Sequence, residues 1–249
     1  MRVLLLSDIH GNSDALKTVI EGSGGWDYLW VLGDLVDYGP EPHIVVDLVR
    51  GLRPDIIVTG NHDYAVAYGV DCRCDPEIHE LSVYTRMNIS LRLLSSEQIE
   101  WLKSLPLRVE REVSGKKLYA VHGSPRNPLY GYLKPGLPND ELIMQLSASL
   151  LTTKPKLVDA DLILVGHTHI PMNVVVGGNT RVVNPGSCGQ PRDGDARASY
   201  IIYDVENNAF EIHRIKYDVE RVVRKLQQLQ LDKSYTEWLA KILRNGKTY

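Results

Sequence analysis

Five short polar segments hold nearly all the side chains here that could do chemistry: Asp8-Ile9-His10, Gly33-Asp34, Gly60-Asn61-His62-Asp63, His122-Gly123 and Gly166-His167-Thr168-His169. Five of the eight histidines fall inside them, beside carboxylates and one amide. Oxygen and imidazole donors suit hard-to-borderline divalent cations, and paired cations of this kind handle phosphate. Two residues apart in an extended segment, Asp8 and His10 can address one ion. Asp34, delivered after a glycine, can bridge two ions, one on each carboxylate oxygen. Asn61 adds a neutral ligand where negative charge is already sufficient. His167 and His169, again two apart, can each take one ion of a pair about 3.5–4 Å apart.

Singly, most of these segments have plainer explanations. Asp34 could cap a helix, His122 could be a satisfied core histidine, and Asp-x-His tripeptides match by chance. Their joint placement tells against that. Each begins where an apolar, β-prone run stops: Val3–Leu6, Tyr28–Leu32, Ile56–Val58, Leu118–Val121 and Leu162–Val165. Ligands of open α/β sheets gather outside the carboxyl ends of the strands, so five such coincidences point to one site.

The elements that must position these groups can be read from the same pattern. Continuous rather than alternating apolar runs suit strands covered on both faces. Asn12 or Ser13 can cap a helix with Ala15, Leu16, Val19 and Ile20 on one face, and Ile44, Val45, Leu48, Val49 and Leu52 repeat that pattern after Pro42. The first sixty residues are therefore β-α-β-α-β, with right-handed crossovers. Residues 64–105 are expected to be irregular and helical, with Ser95 and Gln98 forming a capping box and Pro106 closing the segment. Strands return at 107–113 and 117–121 about Ser114-Gly115-Lys116. A helix is expected over 139–151. Strands follow at 162–165, 173–176, 181–183, 199–204 and 210–216, the last two joined by a turn at Asn207-Asn208. Two helices end the chain, one capped by Asp218 and one opened by a Ser234/Glu237 capping box. A single domain is expected, 1–249, with a core of 1–216 and a helical extension of 217–249.

Composition narrows the function classes. Hydrophobic residues make up 43% and charged residues 24%, as in an ordinary globular protein. A formal net charge of −3 gives no reason to expect nucleic-acid wrapping or adhesion to an anionic membrane. The opening apolar run is too short for a signal peptide or a membrane span, so a cytoplasmic location is expected. Three cysteines cannot all pair, and Cys72 and Cys74 lack zinc-knuckle spacing, so they are read as reduced thiols.

The ordered set Asp-x-His, Gly-Asp, Gly-Asn-His-Asp, His and Gly-His-Thr-His resembles the calcineurin-like metallophosphoesterase superfamily over residues 1–216. Asn184-Pro185-Gly186-Ser187 and Gln190-Pro191-Arg192 are similar to its small prokaryotic phosphodiesterase-like branch. The resemblance implies an α/β fold, a four-layer αββα sandwich of two mixed sheets flanked by helices. It implies two divalent ions, with Mn, Fe, Zn, Ni and Co all compatible. Asp8, His10 and His169 would hold the first and Asn61, His122 and His167 the second, with Asp34 bridging. His62 matches a position that faces phosphate without binding metal, and Asp37 the residue that orients it. The implied chemistry is attack by a metal-bridging hydroxide, with His62 giving a proton to the leaving group.

Substrate class is less constrained. Phosphoprotein phosphatases of this family carry arginine directly after the position of Asp37 and end the third motif in glutamate. Here those positions are Tyr38 and Asp63, which disfavours a protein phosphatase and weakens a dinucleoside-polyphosphate hydrolase. A small phosphodiester, such as a nucleotide, is the expected substrate, with monoesters second. Tyr38–Pro42 is expected to form a rim of the site, Tyr64 and Tyr68 to add aromatic surface, and Arg126 and Arg192 to contact phosphate. Cys188 is read as a small packed residue. A non-catalytic protein-binding scaffold is the alternative from another class, but every ligand position is filled here. The C-terminal helices could serve a homo-oligomer.

Overall fold

The computed structural model describes residues 1–148 and 156–248. Its elements follow the expected order: β1 (Arg2–Leu6), α1 (Ser13–Gly22), β2 (Tyr28–Val31), α2 (Pro42–Leu52), β3 (Ile56–Ile57), α3 (Asn61–Tyr68), α4 (His79–Thr85), a π-helical turn (Arg86–Ser90), α5 (Leu91–Leu93), α6 (Ser96–Lys103), β4 (Arg108–Val113), β5 (Lys116–Val121), α7 (Asn139–Gln145), β6 (Leu162–Leu164), β7 (Met172–Val176), β8 (Thr180–Asn184), β9 (Ala198–Asp204), β10 (Ala209–Ile215), α8 (Val219–Gln228) and α9 (Lys233–Asn245).

Two mixed five-stranded sheets result, ordered β10-β9-β1-β2-β3 and β4-β5-β6-β8-β7. Each contains three parallel strands: β1, β2 and β3 at one side of the first, β5, β6 and β8 in the middle of the second. Antiparallel neighbours complete both.

Side-chain alternation explains the layering. Val3 and Leu5 of β1 point inward, where with Trp30, Ile56, Leu118, Leu162 and Ile201 they fill the space between the sheets. Leu4 and Leu6 point outward onto Ala15, Leu16 and Val19 of α1 and Val45, Val46 and Val49 of α2. Across the molecule, Tyr119, Ile163 and Val182 meet Leu142 and Ile143 of α7. That is the expected αββα sandwich. Burying each large aliphatic side chain contributes about 1.5–3 kcal/mol, so the inner layer holds the ends of the two sets of parallel strands together.

Most local signals hold. Asn12 caps α1, Ser95 and Gln98 form a capping box, and Asp218 caps α8. Two differ. α7 stops at Gln145, short of the expected 151, because the chain turns to pair Ser147 with Leu157; residues 149–151 lie outside the described residues. The cap of α9 is Asp232, whose carboxylate accepts the Ser234 N–H at 2.9 Å, leaving Ser234 inside the helix. The Ser234 hydroxyl donates to the same carboxylate at 2.7 Å and so does not serve as the cap.

Candidate metal centre

All five segments converge. Ligand atoms of Asp8, His10, Asp34 and His169 lie within 4.8 Å of one another, as do those of Asp34, His122 and His167. Asp34 belongs to both groups. The Asn61 Oδ1 joins the second, 3.0 Å from the His122 Nε2. Every one of these side chains is buried.

Their backbone is not the extended segment expected. Asp8 (φ 53°), His10 (46°), Asp34 (56°), His167 (65°) and His169 (58°) are all left-handed, as are Asp37 (65°) and Tyr38 (60°). These seven are more than half of the twelve non-glycine residues with positive φ among those described, and strain of this kind concentrates at functional sites. The strands end abruptly, and the reversal turns each side chain toward the common centre. Close approach adds to this: a Cβ on Gly60 would meet the Asp34 Oδ1 at 2.0 Å, so only glycine lets β2 and β3 deliver both segments together.

Hydrogen bonding fixes what each ligand can offer. The Nδ1–H groups of His10, His122 and His169 donate to the carbonyls of Val36 (2.8 Å), Leu32 (2.6 Å) and Gln190 (2.6 Å). Their Nε2 atoms are thus the ones turned inward. Asn61 donates Nδ2–H to the Cys72 carbonyl at 2.8 Å, which turns its oxygen inward as well. The Asp63 carboxylate accepts the N–H groups of Asp34 (2.7 Å), Leu35 (2.8 Å) and Gly60 (3.0 Å) and so clamps the two strand ends. Asp34 Oδ1 accepts the His62 N–H at 2.9 Å, leaving Oδ2, rather than both oxygens, for the two groups.

The donor set fits cations. His10 and His169 Nε2 face each other at 3.2 Å, and burial holds both imidazoles well below the usual histidine pKa, so two lone pairs oppose one another. His122 Nε2 faces the Asn61 oxygen and, at 3.1 Å, Asp34 Oδ2. Asp8 Oδ1, Asp34 Oδ2 and His167 Nε2 are buried without any hydrogen-bond donor. Buried acceptors are almost always satisfied, and a cation satisfies all of these at once. Burial disfavours protonated His122, but the Asp34 carboxylate more than offsets it and lifts the pKa to about 9. A metal at that nitrogen takes the place of that proton.

His62 stands outside both groups. Its Nδ1–H donates to Asp37 Oδ2 at 2.9 Å, while the Ser90 hydroxyl, presented by the π-helical turn, donates to Asp37 Oδ1 at 2.6 Å. Burial works against a charged His62, yet the charges of Asp34 and Cys72 and the Asp37 hydrogen bond raise its pKa to about 9. The ring is thus anchored through Nδ1 beside the cluster.

Other expected residues are distributed differently. Arg192 reaches the site, with its guanidinium 5.7 Å from the Tyr38 ring centroid and bonded to Gln190 Oε1 at 2.8 Å. Arg126 is tied by its N–H to the Gln145 carbonyl at the end of α7. Tyr38 is not rim but floor: it is buried, its ring lies 4.9 Å from His10 and 5.0 Å from His62, and Leu239 and Leu243 of α9 pack in the same cluster. The C-terminal helices cover what the sequence leaves as an open edge. The rings of Tyr64 and Tyr68 meet at a tilt, centroids 4.4 Å apart, the latter half exposed. Cys188 is packed in the core. Sequence reasoning missed Ser82, Ser90 and Tyr132, whose ring lies 4.2 Å from His167. Ser82 and Ser90 are isolated hydroxyls in helical stretches and Tyr132 sits in a loop, so none carries a signal of its own.

Comparison with known proteins agrees. Residues 1–208 match the model of the calcineurin-like phosphoesterase superfamily domain. An uncharacterized protein of Methanocaldococcus jannaschii is 32% identical, over 98% of both chains. The crystal structure of a metallophosphoesterase from Sphaerobacter thermophilus superposes with a TM-score of 0.77 at 32% identity, covering 99% of each chain. A hypothetical protein from Pyrococcus horikoshii shares the fold, with a TM-score of 0.80 at 21% identity, over 100% of this chain and 99% of that one. The symmetrical bis(5'-nucleosyl)-tetraphosphatase of Cronobacter sakazakii is 34% identical over 130 residues, 49% of this chain and 42% of that protein. Calcineurin-like phosphoesterases use divalent metals, and this chain belongs to their superfamily.

Proposed function

We propose that the chain is a dinuclear metal-dependent phosphoesterase acting on small phosphodiesters, with His62 as the proton donor to the leaving group. The observation that carries this reading is the sharing of Asp34 between two buried donor groups, with a hydrogen-bonded histidine–aspartate pair alongside. Asp8, His10 and His169 would hold one ion and Asn61, His122 and His167 the other. Ions so held supply Lewis acidity to phosphate oxygens and an acidified water at neutral pH.

The chain's own groups do the rest. His62, fixed by Asp37, keeps a proton at pH 7 for the departing alkoxide or phenoxide. Asp34 Oδ1 grips the His62 N–H, so the bridging carboxylate and the acid move as one unit. Arg192 supplies a cation beside the cluster for a phosphate oxygen. No serine or cysteine nucleophile is needed, and no covalent intermediate is expected. The filled ligand positions favour catalysis over a scaffold role.

A second reading, hydrolysis of dinucleoside polyphosphates, is favoured by the partial match to the tetraphosphatases. A metal-reconstituted screen of a bis-aryl phosphodiester, an aryl monoester, cyclic nucleotides and a dinucleoside tetraphosphate decides between them. Highest kcat/KM on diesters supports the first reading, and highest on the tetraphosphate replaces it with the second.

A further inference from the structure

Behind the histidine–aspartate pair lies a feature that hydrolysis does not use. Cys72 and Cys74 are free and buried, with their Sγ atoms 3.3 Å apart. Arg73 between them has a left-handed φ of 48°, and its N–H is held by Asp71 Oδ1 at 2.8 Å. His79 fixes that aspartate from α4, also at 2.8 Å. The tripeptide is therefore a formed turn that points both thiols the same way. Closing the sulfurs to a disulfide needs a movement of only about 1.2 Å, given a bond of ~2.05 Å.

The pair is wired to the site on three sides. Cys72 Sγ lies 3.0 Å from the Ser82 hydroxyl, which is itself 3.4 Å from His62 Nδ1. The Cys72 carbonyl accepts the Asn61 amide that turns its oxygen toward His122. Cys74 Sγ accepts the hydroxyl of Tyr38, whose ring supports His10 and His62. A metal clip is the competing use of two such sulfurs. The third donor within reach would be His62, but the ring nitrogen on that side, Nδ1, is already committed to Asp37.

We propose that Cys72 and Cys74 form a dithiol modification site, oxidised by a peroxide to an intramolecular disulfide that lowers hydrolysis at the adjacent centre; this rests on the reading of His62 as the proton donor. The pair is reached past Cys74, 7% exposed against none for Cys72. The Cys72 thiolate, whose charge faces His62, attacks one peroxide oxygen, breaking the O–O bond to give a sulfenic acid and hydroxide. Cys74 then displaces the second hydroxide as the S–S bond forms. The two thiol protons leave with these hydroxides as two waters, and two electrons pass from the sulfurs to the peroxide. The closed ring draws Cys72 from Ser82 and Cys74 from Tyr38, shifting the supports of His62 and Asn61.

The test uses the full-length, Mn(II)-loaded protein treated with hydrogen peroxide, then unfolded and alkylated. Mass spectrometry is expected to show Cys188 alkylated and a peptide lighter by two hydrogens spanning Cys72 and Cys74. Hydrolysis of a bis-aryl phosphodiester should fall about 10- to 100-fold, the scale of ångström misplacement in an active site, and recover with dithiothreitol. Cys74→Ser, and Cys74→Ala should the first fold poorly, should keep activity through the same treatment. Three alkylatable thiols after peroxide, or thiols released only by a zinc chelator, would overturn the proposal. So would a disulfide without loss of activity, or an equal loss in both variants. If the reduced protein hydrolyses nothing, the proposed function fails separately. The His62 ring resonances of the Zn(II)-loaded protein then decide the coupling, which is refuted if they do not move on oxidation.

Discussion

The two sheets contribute unlike chemistry to one centre. From β1, β2 and β3 come Asp8, His10, Asp34, Asn61 and the His62–Asp37 pair. From the ends of β5 and β6 come only histidines: His122, His167 and His169. The carboxylates and the His62–Asp37 pair thus lie on one side, and imidazoles alone on the other. The difference teaches a division of labour. Under the proposed function, the first sheet would set the negative charge of the site and place its acid, whereas the second would complete coordination without a carboxylate. The seam is bonded across both ways: His122 leans on Leu32, and the Asp8 carboxylate accepts the His167 N–H at 3.2 Å.

The largest effect should come from the shared carboxylate. Asp34→Asn is expected to cut kcat/KM by at least about 10³-fold, roughly 4 kcal/mol of barrier, and to weaken binding of both ions in calorimetric titration. His167→Ala, from the second sheet, should cost less, about 10²-fold, and leave one ion bound. Equal losses of both ions in the two variants would break the division.

His62→Ala sharpens it by separating the acid from the ligands. Metal stoichiometry should stay at two. Rates on alkyl leaving groups should fall about 10²-fold or more, and those on activated aryl esters by less. Matching losses on both would remove the proton donor from the account. The smallest effect belongs to Asp37→Asn. Because His62 acts in its protonated form, activity on poor leaving groups is expected to decline as pH rises through its raised pKa of about 9. Removing the Asp37 charge lowers that pKa, so the basic limb of the pH–rate profile should move to lower pH. An unmoved limb would assign it to another group.

Much of this was legible in the sequence for one reason: strands covered on both faces are unbroken apolar runs, so polar residues at their ends stand out. The strands that end at the site and the polar segments that follow them stand out in this way, while the assignment of individual ligands rests on the family resemblance. What it could not give is conformation at the strand ends. Asp8, His10, His167 and His169 were expected in extended segments, yet left-handed backbone at a non-glycine residue is imposed by tertiary packing and leaves no mark in composition. Competition between neighbouring signals hid other details. Asp232 serves as the cap in place of Ser234, and the floor role of Tyr38 depends on α9, some two hundred residues away. Ser82 and Ser90 act only through contacts that the fold creates.

The carbonyls behind His10, His122 and His169 carry one more consequence. The partner that selects each tautomer is main chain, contributed by Val36, Leu32 and Gln190. In many metal sites that task falls to a carboxylate side chain, which a point mutation can delete. Here the acceptor is a carbonyl that any side-chain substitution at Val36, Leu32 or Gln190 retains. Drift in the surrounding sequence can reshape what the centre acts on while the inner wiring of its imidazoles is inherited with the backbone itself.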